Sequence, residues 1–426
     1  MTRNRLSIIL AVVFLAASAT SFACTNFLVG RKASTDGSTM ISYSADSYWL
    51  YGALYFYPRA NYKDGEKLKI YEWDTGEYRG EIDQVKHTYQ VVGNMNEHQL
   101  SIGETTFTGR KELQNKEGIM DYGSLIYVTL QRAKTAREAI KVMTDLVERY
   151  GYGSTGESFS IADPSEVWIM EMIGKGSGKK GAVWVAVRIP DDCVSAHANQ
   201  ARITQIPFKD KNNCMYSKDV VSFARAQGYY NGKDEDFSFS DTYNPLDYEG
   251  LRFCEARVWS FFRMMNPEMN KYFSYINGET VQRMPLYIKP AKQVSVEDIK
   301  MCMRDHYEGT PIDMTVGAGS GPFGSPFRSS PLTYKVDGVE YFHERPIATQ
   351  QTGFTFVAQM RSWLPDPIGG ILWFGVDDAS MGMYVPLYCG INAVPKCFDE
   401  KTGNMFDFSW KSAFWVNNWV ASMVYN

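Results

Sequence analysis

The sequence lacks the signatures of several common enzyme classes. Its five histidines include no His-Glu-x-x-His pair and its seven cysteines no Cys-x-x-Cys pair, so the usual zinc-binding motifs are missing. The Gly-x-Ser-x-Gly motif of serine hydrolases does not occur either. The Gly-rich stretch at 317–324 has no Lys-Ser or Lys-Thr ending, which excludes a phosphate-binding P-loop. A metal enzyme and a P-loop nucleotide enzyme are therefore not expected.

The chain also lacks an excess of basic residues and a second long apolar run. It has 44 Lys and Arg against 48 Asp and Glu, a net charge of −4, with no basic cluster, so nothing favours nucleic acid as a partner. Beyond the N-terminal segment, no stretch reaches the roughly 18 apolar residues that a membrane-spanning helix needs. We therefore expect a soluble mature chain with no stable membrane insertion.

What the chain does have is an N-terminal segment typical of secretion signals. Arg3 and Arg5 precede an apolar run at 6–17, and Ser21 and Ala23 are the small residues that precede a cleavage position. We therefore predict that 1–23 form a signal peptide and that the protein is exported to the periplasm or the extracellular space.

Cleavage after Ala23 would make Cys24 the first residue of the mature protein, with a nucleophile and a base on one residue. A thiol reacts as its thiolate and has a pKa near ~8.5, whereas an α-amino group has a pKa of roughly 7.7–8.0 and can take up the thiol proton. In the precursor the same nitrogen is an amide and cannot accept a proton. Two alternatives stay open at this point. Cys24 can be the acylated residue of a lipoprotein, although Phe22 is bulky for such a site, or a cysteine without special function.

The rest of the chain predicts strands, then two helices, then strands again. Residues 25–43 predict a hairpin with Asp36-Gly37 at its turn. Helices are predicted at about 123–133 and at about 136–150, the second opened by a capping box of Thr135 and Glu138. Further strands are predicted at 87–92, 99–102, 159–162, 167–173, 182–189, 354–360, 371–374 and 383–387, with a polar turn at 93–98 and an aromatic helix after 406. This order favours an α+β sandwich of sheets covered by helices over repeated βαβ units.

Six cysteines remain after Cys24. In an oxidising compartment they can form disulfides, and Cys389 and Cys397 would close the shortest loop. Buried free thiols explain the same residues equally well, so the pairing stays open.

Several separated segments resemble the cysteine dipeptidases of the N-terminal-nucleophile hydrolase superfamily, the dipeptidase A family. The mature start carries the resemblance most clearly, as Cys24-Thr25-Asn26-Phe27-Leu28-Val29-Gly30 followed by Asp36-Gly37-Ser38. The other segments are Asn96-Glu97 with Glu104-Thr105-Thr106, residues 135–139, Ile161-Ala162-Asp163-Pro164 with Glu166-Val167-Trp168, residues 184–199, Gly309-Thr310-Pro311 with Gly321-Pro322-Phe323, and Trp363-Leu364-Pro365 with Trp373-Phe374-Gly375. Together they extend over nearly the whole mature chain.

The resemblance implies a four-layer αββα sandwich formed by 24–426, with a β-rich C-terminal part from about 309. It implies hydrolysis of dipeptides without a cofactor, through a thioester on Cys24. Dipeptides are the implied partners, and a homo-oligomer is left open.

The resemblance also implies roles for individual residues. Cys24 corresponds to the nucleophile, and Asp46 to the carboxylate that orients the α-amine. The two asparagines near the oxyanion correspond to Asn96 and Asn199, and the distal arginine corresponds to Arg252 or Arg257.

One position departs from the family pattern. The family often has Arg three residues before the Asp that corresponds to Asp46, and this chain has Tyr43. Without that positive charge a thiolate would be less stabilised, so either Tyr43 hydrogen-bonds instead or the substrate preference differs.

Three other functions remain as hypotheses. One is an amidase of the bile-salt or penicillin type, a distant relative with the same arrangement of site residues. Another is a lipoprotein, lipid-anchored at Cys24, that binds peptides without cleaving them. The last is a papain-like enzyme in which His197 serves as the base for the cysteine.

Overall fold

The computed structural model of the protein describes residues 24–328, 333–342 and 344–425. The predicted signal peptide at 1–23 lies outside the described residues. The fold combines antiparallel β-sheets with α-helices, in agreement with the predicted α+β class.

The strands run from the residue after the Cys24-Thr25 dipeptide nearly to the C-terminal helix. They are β1 (Asn26–Val29), β2 (Thr39–Asp46), β3 (Phe56–Tyr57), β4 (Ala60–Asn61), β5 (Lys67–Tyr71), β6 (Tyr78–Asp83), β7 (His87–Thr88), β8 (Val91–Val92), β9 (Met95–Asn96), β10 (Ser101–Thr108), β11 (Gly156–Ala162), β12 (Val167–Gly174), β13 (Ala182–Ile189), β14 (Val194–His197), β15 (Cys214–Tyr216), β16 (Tyr287–Ile288), β17 (Thr333–Val336), β18 (Val339–Phe342), β19 (Thr352–Met360), β20 (Gly370–Val376) and β21 (Val385–Tyr388).

The helices lie between and after these strands. They are α1 (Tyr122–Leu130), α2 (Ala136–Tyr150), α3 (Val220–Ala226), α4 (Phe239–Tyr243), α5 (Ala256–Met265), α6 (Phe273–Ile276), α7 (Val296–Cys302), α8 (Asp366–Gly369) and α9 (Ala413–Tyr425). A π-helical turn, Gly250–Glu255, leads directly into α5.

The first large sheet has seven strands in the order β16-β14-β1-β2-β19-β20-β21. β1 and β2 form the predicted hairpin, with Leu28 opposite Ile41 and with Gly37 at a φ of 85° in the turn. β19 pairs with the whole length of β2. The N-terminal and C-terminal parts of the chain therefore share one sheet.

The second large sheet has eight strands in the order β15-β13-β12-β11-β10-β9-β8-β3. It packs on the first sheet through contacts of β2 with β10, β11 and β12. α1 and α2 contact β10, β11 and β13, whereas α5 and α7 contact β14 and β19. α1 and α2 therefore lie against the second sheet, and α5 and α7 against the first.

The burial of alternate residues in β1 follows from this layering. Successive strand side chains point to opposite faces. Leu28 belongs to the apolar core between the sheets, whereas Phe27 and Val29 belong to the core beneath α5 and α7. β1 is thus buried on both faces, and the segment directly before it is held in the interior.

Several element predictions need correction in detail. The turn at 93–98 contains β9, and the strand predicted at 87–92 is divided into β7 and β8. The predicted capping box at α2 is only half formed. The Thr135 hydroxyl accepts from Glu138 N at 3.3 Å, but the Glu138 carboxylate accepts from Lys134 N and not from Thr135 N.

Two further predictions concern membranes and disulfides. In the described ranges, no helix is both long and apolar enough to cross a bilayer. All seven cysteines are free thiols, so Cys389 and Cys397 are not bridged. The Cys389 thiol instead donates to the carbonyl oxygen of Asp366 at 2.9 Å.

Candidate active site

Cys24 lies two residues before the start of β1 and lines a cavity of about 380 Å³. Ser44 N donates to Thr25 O at 3.0 Å, and this bridge to β2 holds the chain next to Cys24. The Cys24 residue is only 5% exposed. Tyr43, Asp46 and Glu104 line the same cavity. A thiol, a phenol and two carboxyl groups therefore line one cavity.

Arg257 holds the backbone around Cys24. Phe261 of α5 stacks on Phe27 of β1 with ring centroids 4.1 Å apart, and residues four apart lie on the same helix face, so this stack brings Arg257 to the start of β1. Its guanidinium donates to Cys24 O at 2.6 Å and to Thr25 Oγ1 at 2.9 Å. Arg257 is 1% exposed, and all of its contacts with Cys24 and Thr25 are made in the interior.

Asn199 binds the nitrogen of Cys24. It follows β14 and has a φ of 61°, a left-handed conformation that Asn adopts more readily than most residues. Its Oδ1 accepts from Cys24 N at 2.9 Å and from Arg257 Nη2 at 2.9 Å, and its Nδ2 donates to Thr106 O at 2.7 Å. In the full-length chain the Cys24 nitrogen is a peptide amide, and its hydrogen points at Asn199.

Asp46 ends β2 and forms a buried ion pair. Arg345 Nη2 lies 3.0 Å from Asp46 Oδ2, and the Thr352 hydroxyl donates to Asp46 Oδ1 at 2.7 Å. Burial raises the pKa of Asp46 above its usual value, while Arg345 and the Thr352 hydroxyl act in the opposite direction. Asp46 is thus a fixed carboxylate in the cavity of Cys24.

Tyr43 donates its hydroxyl hydrogen to Glu104 Oε1. Both groups lie beside the thiol, with Tyr43 Oη 3.7 Å and Glu104 Oε1 3.6 Å from Cys24 Sγ. The position at which the family often has Arg is therefore occupied by a neutral phenol that orients a carboxylate.

Glu104 has a second carboxyl group, Glu157, as its neighbour. Glu157 of β11 lies opposite Thr106 of β10, so it is diagonal to Glu104 on the same sheet face. Both glutamates are buried. Burial raises the pKa of Glu157 well above its usual value, and the charge of Glu104 raises it further. A proton retained on Glu157 can be donated to Glu104, so the pair carries one negative charge rather than two.

The thiol of Cys24 lies in a negative environment. Burial raises its pKa well above the ordinary value, and Glu104 and Asp46 raise it further. Hydrogen bonds with the Asp46 backbone and with the Tyr43 hydroxyl act against this rise in the pKa. At neutral pH the thiol therefore keeps its proton until a base or an added positive charge intervenes.

The structure does not bring two of the predicted residues to Cys24. Both amide hydrogens of Asn96 go to backbone carbonyls, of Leu130 at 2.8 Å and of Ala133 at 2.7 Å, so Asn96 has no donor left for an oxyanion. Arg252 donates to Asn277 Oδ1 at 2.9 Å and pairs with Glu344. Of the two candidate arginines, Arg257 is the one at the site.

Both ring nitrogens of His197 have hydrogen-bond partners other than Cys24. One ring nitrogen lies 2.7 Å from the Thr105 hydroxyl and the other 2.7 Å from the Ser160 hydroxyl. Burial lowers the pKa of His197 to about 3. Both nitrogens are thus hydrogen-bonded within the core. Neither is placed to take the proton of the Cys24 thiol, as the papain-like hypothesis requires.

Glu104, Thr106 and Arg345 belong to the site without having been assigned a role from the sequence. Glu104 and Thr106 stand two apart in the strand 101–108, a spacing that puts them on one face. A charged residue in the middle of a buried strand is a signal that could have been used. The sequence contains no such signal for Arg345, because this residue lies 299 positions from its partner Asp46.

This chain matches the model of Peptidase family C69 over residues 23–56 and 55–426. A probable dipeptidase of Latilactobacillus sakei is 26% identical to it, across 94% of this chain and 81% of the relative. A probable dipeptidase of Salmonella dublin is 28% identical, across 87% and 81%. Dipeptidase A of Lactobacillus helveticus is 25% identical, across 94% and 81%. With a match that starts one residue before Cys24 and continues to the last residue, this chain belongs to peptidase family C69.

Proposed function

We propose that the protein is an exported cysteine dipeptidase of the N-terminal-nucleophile type, with the four-layer αββα sandwich of that superfamily. The observation that carries the proposal is the position of Cys24. Its nitrogen contacts Asn199, its carbonyl contacts Arg257 and its thiol faces a cavity. The names of the relatives, all dipeptidases, support dipeptides as substrates.

Removal of 1–23 would convert the Cys24 nitrogen from an amide to an amine. Cys24 N donates its hydrogen to Asn199 Oδ1 at an N–O distance of 2.9 Å, so the amine produced at this position would already be oriented. Its pKa of roughly 7.7–8.0 lets it take the proton of the thiol near neutral pH. Asp46 lies in the same cavity, where its fixed carboxylate favours the ammonium form of the amine.

The reaction then proceeds in two halves. The Cys24 thiolate attacks the peptide carbonyl carbon, and the α-ammonium gives its proton to the leaving amine as the C–N bond breaks. The resulting thioester is attacked by water, the amine takes up a proton from that water, and the acid and the thiol are released. Asn199 orients the amine through its Oδ1, whereas Asn96, whose amide hydrogens go to backbone carbonyls, takes no part. Arg257 holds the backbone on which both groups of Cys24 depend.

A substrate panel tests this function. Protein that begins at Cys24 should hydrolyse dipeptides and leave a conjugated bile acid and penicillin V intact. The Cys24→Ser variant should be slower by about a hundredfold or more, because an alcohol is harder to deprotonate than a thiol. Hydrolysis of the two acyl amides but of no dipeptide would establish the amidase alternative instead.

Export is a separate part of the proposal. The protein recovered outside the cytoplasm should begin at Cys24 with an unmodified amine. N-terminal sequencing and the intact mass measure this. Incorporation of labelled fatty acid at Cys24 would instead establish the lipid-anchored alternative, since an acylated amine cannot act as a base.

A further inference from the structure

Within the described part of the chain, the charged side chains that line the cavity beside Cys24 are all carboxyl groups. Among the described residues that line it, the acids are Asp46, Asp74, Glu104 and Glu400, and no Lys, Arg or His is present. A neutral or anionic acyl group would gain nothing from these carboxylates. The charge of the cavity points to a ligand with a positive charge.

Three of the four acids have other partners or lie at the rim. Asp46 is paired with Arg345, Asp74 accepts from the Tyr122 hydroxyl at 2.8 Å, and Glu400 is exposed. Glu104 differs from all of them. It is 2% exposed and forms no ion pair within the described ranges, and its Oε2 has no partner there other than the proton that Glu157 can share.

The distance between Glu104 and Cys24 fits the end of a dipeptide. In a dipeptide the attacked carbonyl belongs to the first residue, whose ammonium nitrogen lies about 2.5 Å from the carbonyl carbon. A carbonyl carbon in position for attack lies about 3–3.5 Å from Sγ. Glu104 Oε1 is 3.6 Å from Sγ, so the same substrate can reach both groups. An ammonium-to-carboxylate contact of about 2.8 Å is compatible with these distances.

We propose that Glu104, oriented by Tyr43 and supported by Glu157, binds the free α-ammonium group of the substrate's first residue beside the Cys24 thiol. This inference rests on the proposed dipeptidase function and names the side chain that would recognise the free amine of a dipeptide. Glu104 is then a specificity-determining residue.

The proposed contact has a consequence for the nucleophile. An empty site leaves the Glu104 charge 3.6 Å from Sγ, where it opposes thiolate formation. A bound ammonium cancels that charge, so the cationic substrate would supply the positive charge that the family often takes from Arg and that Tyr43 does not provide. Free-amine substrates would thereby favour the reactive form of the enzyme.

Binding measurements test the site without any step of catalysis. The protein beginning at residue 24 with Cys24→Ala would be titrated calorimetrically with Ala-Phe and with propionyl-Phe, which differs by loss of the amine alone. We expect Ala-Phe to bind at least about tenfold more tightly near neutral pH. This advantage should fade above about pH 8, where the α-amine loses its proton.

The two proposals fail in distinguishable ways. Equal affinity for the two ligands, with Ala-Phe still hydrolysed by the unsubstituted enzyme, would overturn the ammonium site and leave the dipeptidase function intact. Absence of Ala-Phe hydrolysis, with neither ligand bound, would overturn both.

A variant locates the contact at Glu104. Glu104→Gln should lower kcat/KM for Ala-Phe by at least about tenfold, chiefly through KM, and should not lower it for propionyl-Phe. Glu400→Gln makes the same change at the exposed rim and should have an effect at least about tenfold smaller. Equal effects of the two variants on Ala-Phe would refute a direct contact. If Glu104→Gln does not fold, the affinities of Ala-Phe and propionyl-Phe for the Cys24→Ala protein decide whether the ammonium site exists.

Discussion

At the scale of single residues, the site differs from the family pattern through Tyr43. The Tyr43 ring packs edge-on against Phe354 and Phe356, with centroids 5.6 Å away in both cases, and this packing aims its hydroxyl at Glu104. The sequence left two explanations for the missing Arg, a hydrogen bond or a changed substrate preference. The hydrogen bond to Glu104 is present, and it links both explanations, since the carboxylate that it orients is the proposed substrate contact.

The charge at position 43 should therefore control the reactivity of the thiol. Tyr43→Arg places a cation beside Cys24 Sγ and should lower the pKa of the thiol by about one unit or more. Iodoacetamide should then alkylate Cys24 at a lower pH, as followed by mass spectrometry of the Cys24 peptide.

Tyr43→Phe is the matched control for this substitution. It removes the hydroxyl donor without adding charge, so the alkylation profile of Cys24 should move to higher pH or stay in place. Profiles that coincide for the Arg and Phe variants would show that charge at this position does not govern the thiol.

At the scale of elements, features that depend on residues close in sequence were predicted better than features that depend on long-range contacts. The β1–β2 hairpin and helix α2 were predicted from residues close in sequence, and both are confirmed. The role of Asn96 was not predictable in this way. Its partners, Leu130 and Ala133, lie 34 and 37 positions away, and hydrogen bonds of that kind depend on how α1 docks on the sheet.

Helix α5 positions Arg257 through the stack of Phe261 on Phe27. Phe261→Ala should lower the free energy of unfolding by about 3–5 kcal/mol, because it leaves a cavity in the core. Urea unfolding measures this loss. Phe323→Ala, at a residue that is 94% exposed, should change it by less than about 0.5 kcal/mol. Similar losses in the two variants would contradict the importance of the stack.

The carboxyl pair on β10 and β11 makes stability depend on pH. The folded protein holds a proton on Glu157 that the unfolded chain releases above its usual pKa of about 4.3, so stability should fall as pH rises from there toward the raised pKa. In Glu157→Gln the amide donates to Glu104 without needing a proton, and this fall should be smaller.

Urea unfolding between about pH 5 and pH 8 measures the slope for each protein. Glu235→Gln, at a side chain that is 76% exposed, should keep the slope of the unsubstituted protein. A slope that Glu157→Gln leaves unchanged would show that the pair does not share a proton.

At the scale of the whole molecule, the site is assembled from distant parts of the chain. Cys24 and Asp46 come from the first hairpin, Glu104 from β10, Asn199 from the end of β14, Arg257 from α5 and Arg345 from the segment before β19. Family resemblance located Cys24, Asp46, Asn199 and Arg257 as candidates. It could not choose between Arg252 and Arg257, because they lie five positions apart and only the packing of α5 distinguishes them.

The most direct measurement compares two forms of the protein that differ at one position, the residue before Cys24. One form begins with a free Cys24, and the other keeps a single Met in front of it, verified by mass spectrometry. Both should fold, because each contains the whole of the described core from Cys24 onward. The free form should hydrolyse dipeptides, and the extended form should be slower by about a hundredfold or more, since its Cys24 nitrogen is an amide that cannot accept a proton. Equal dipeptide turnover by the two forms would contradict the N-terminal amine as the base.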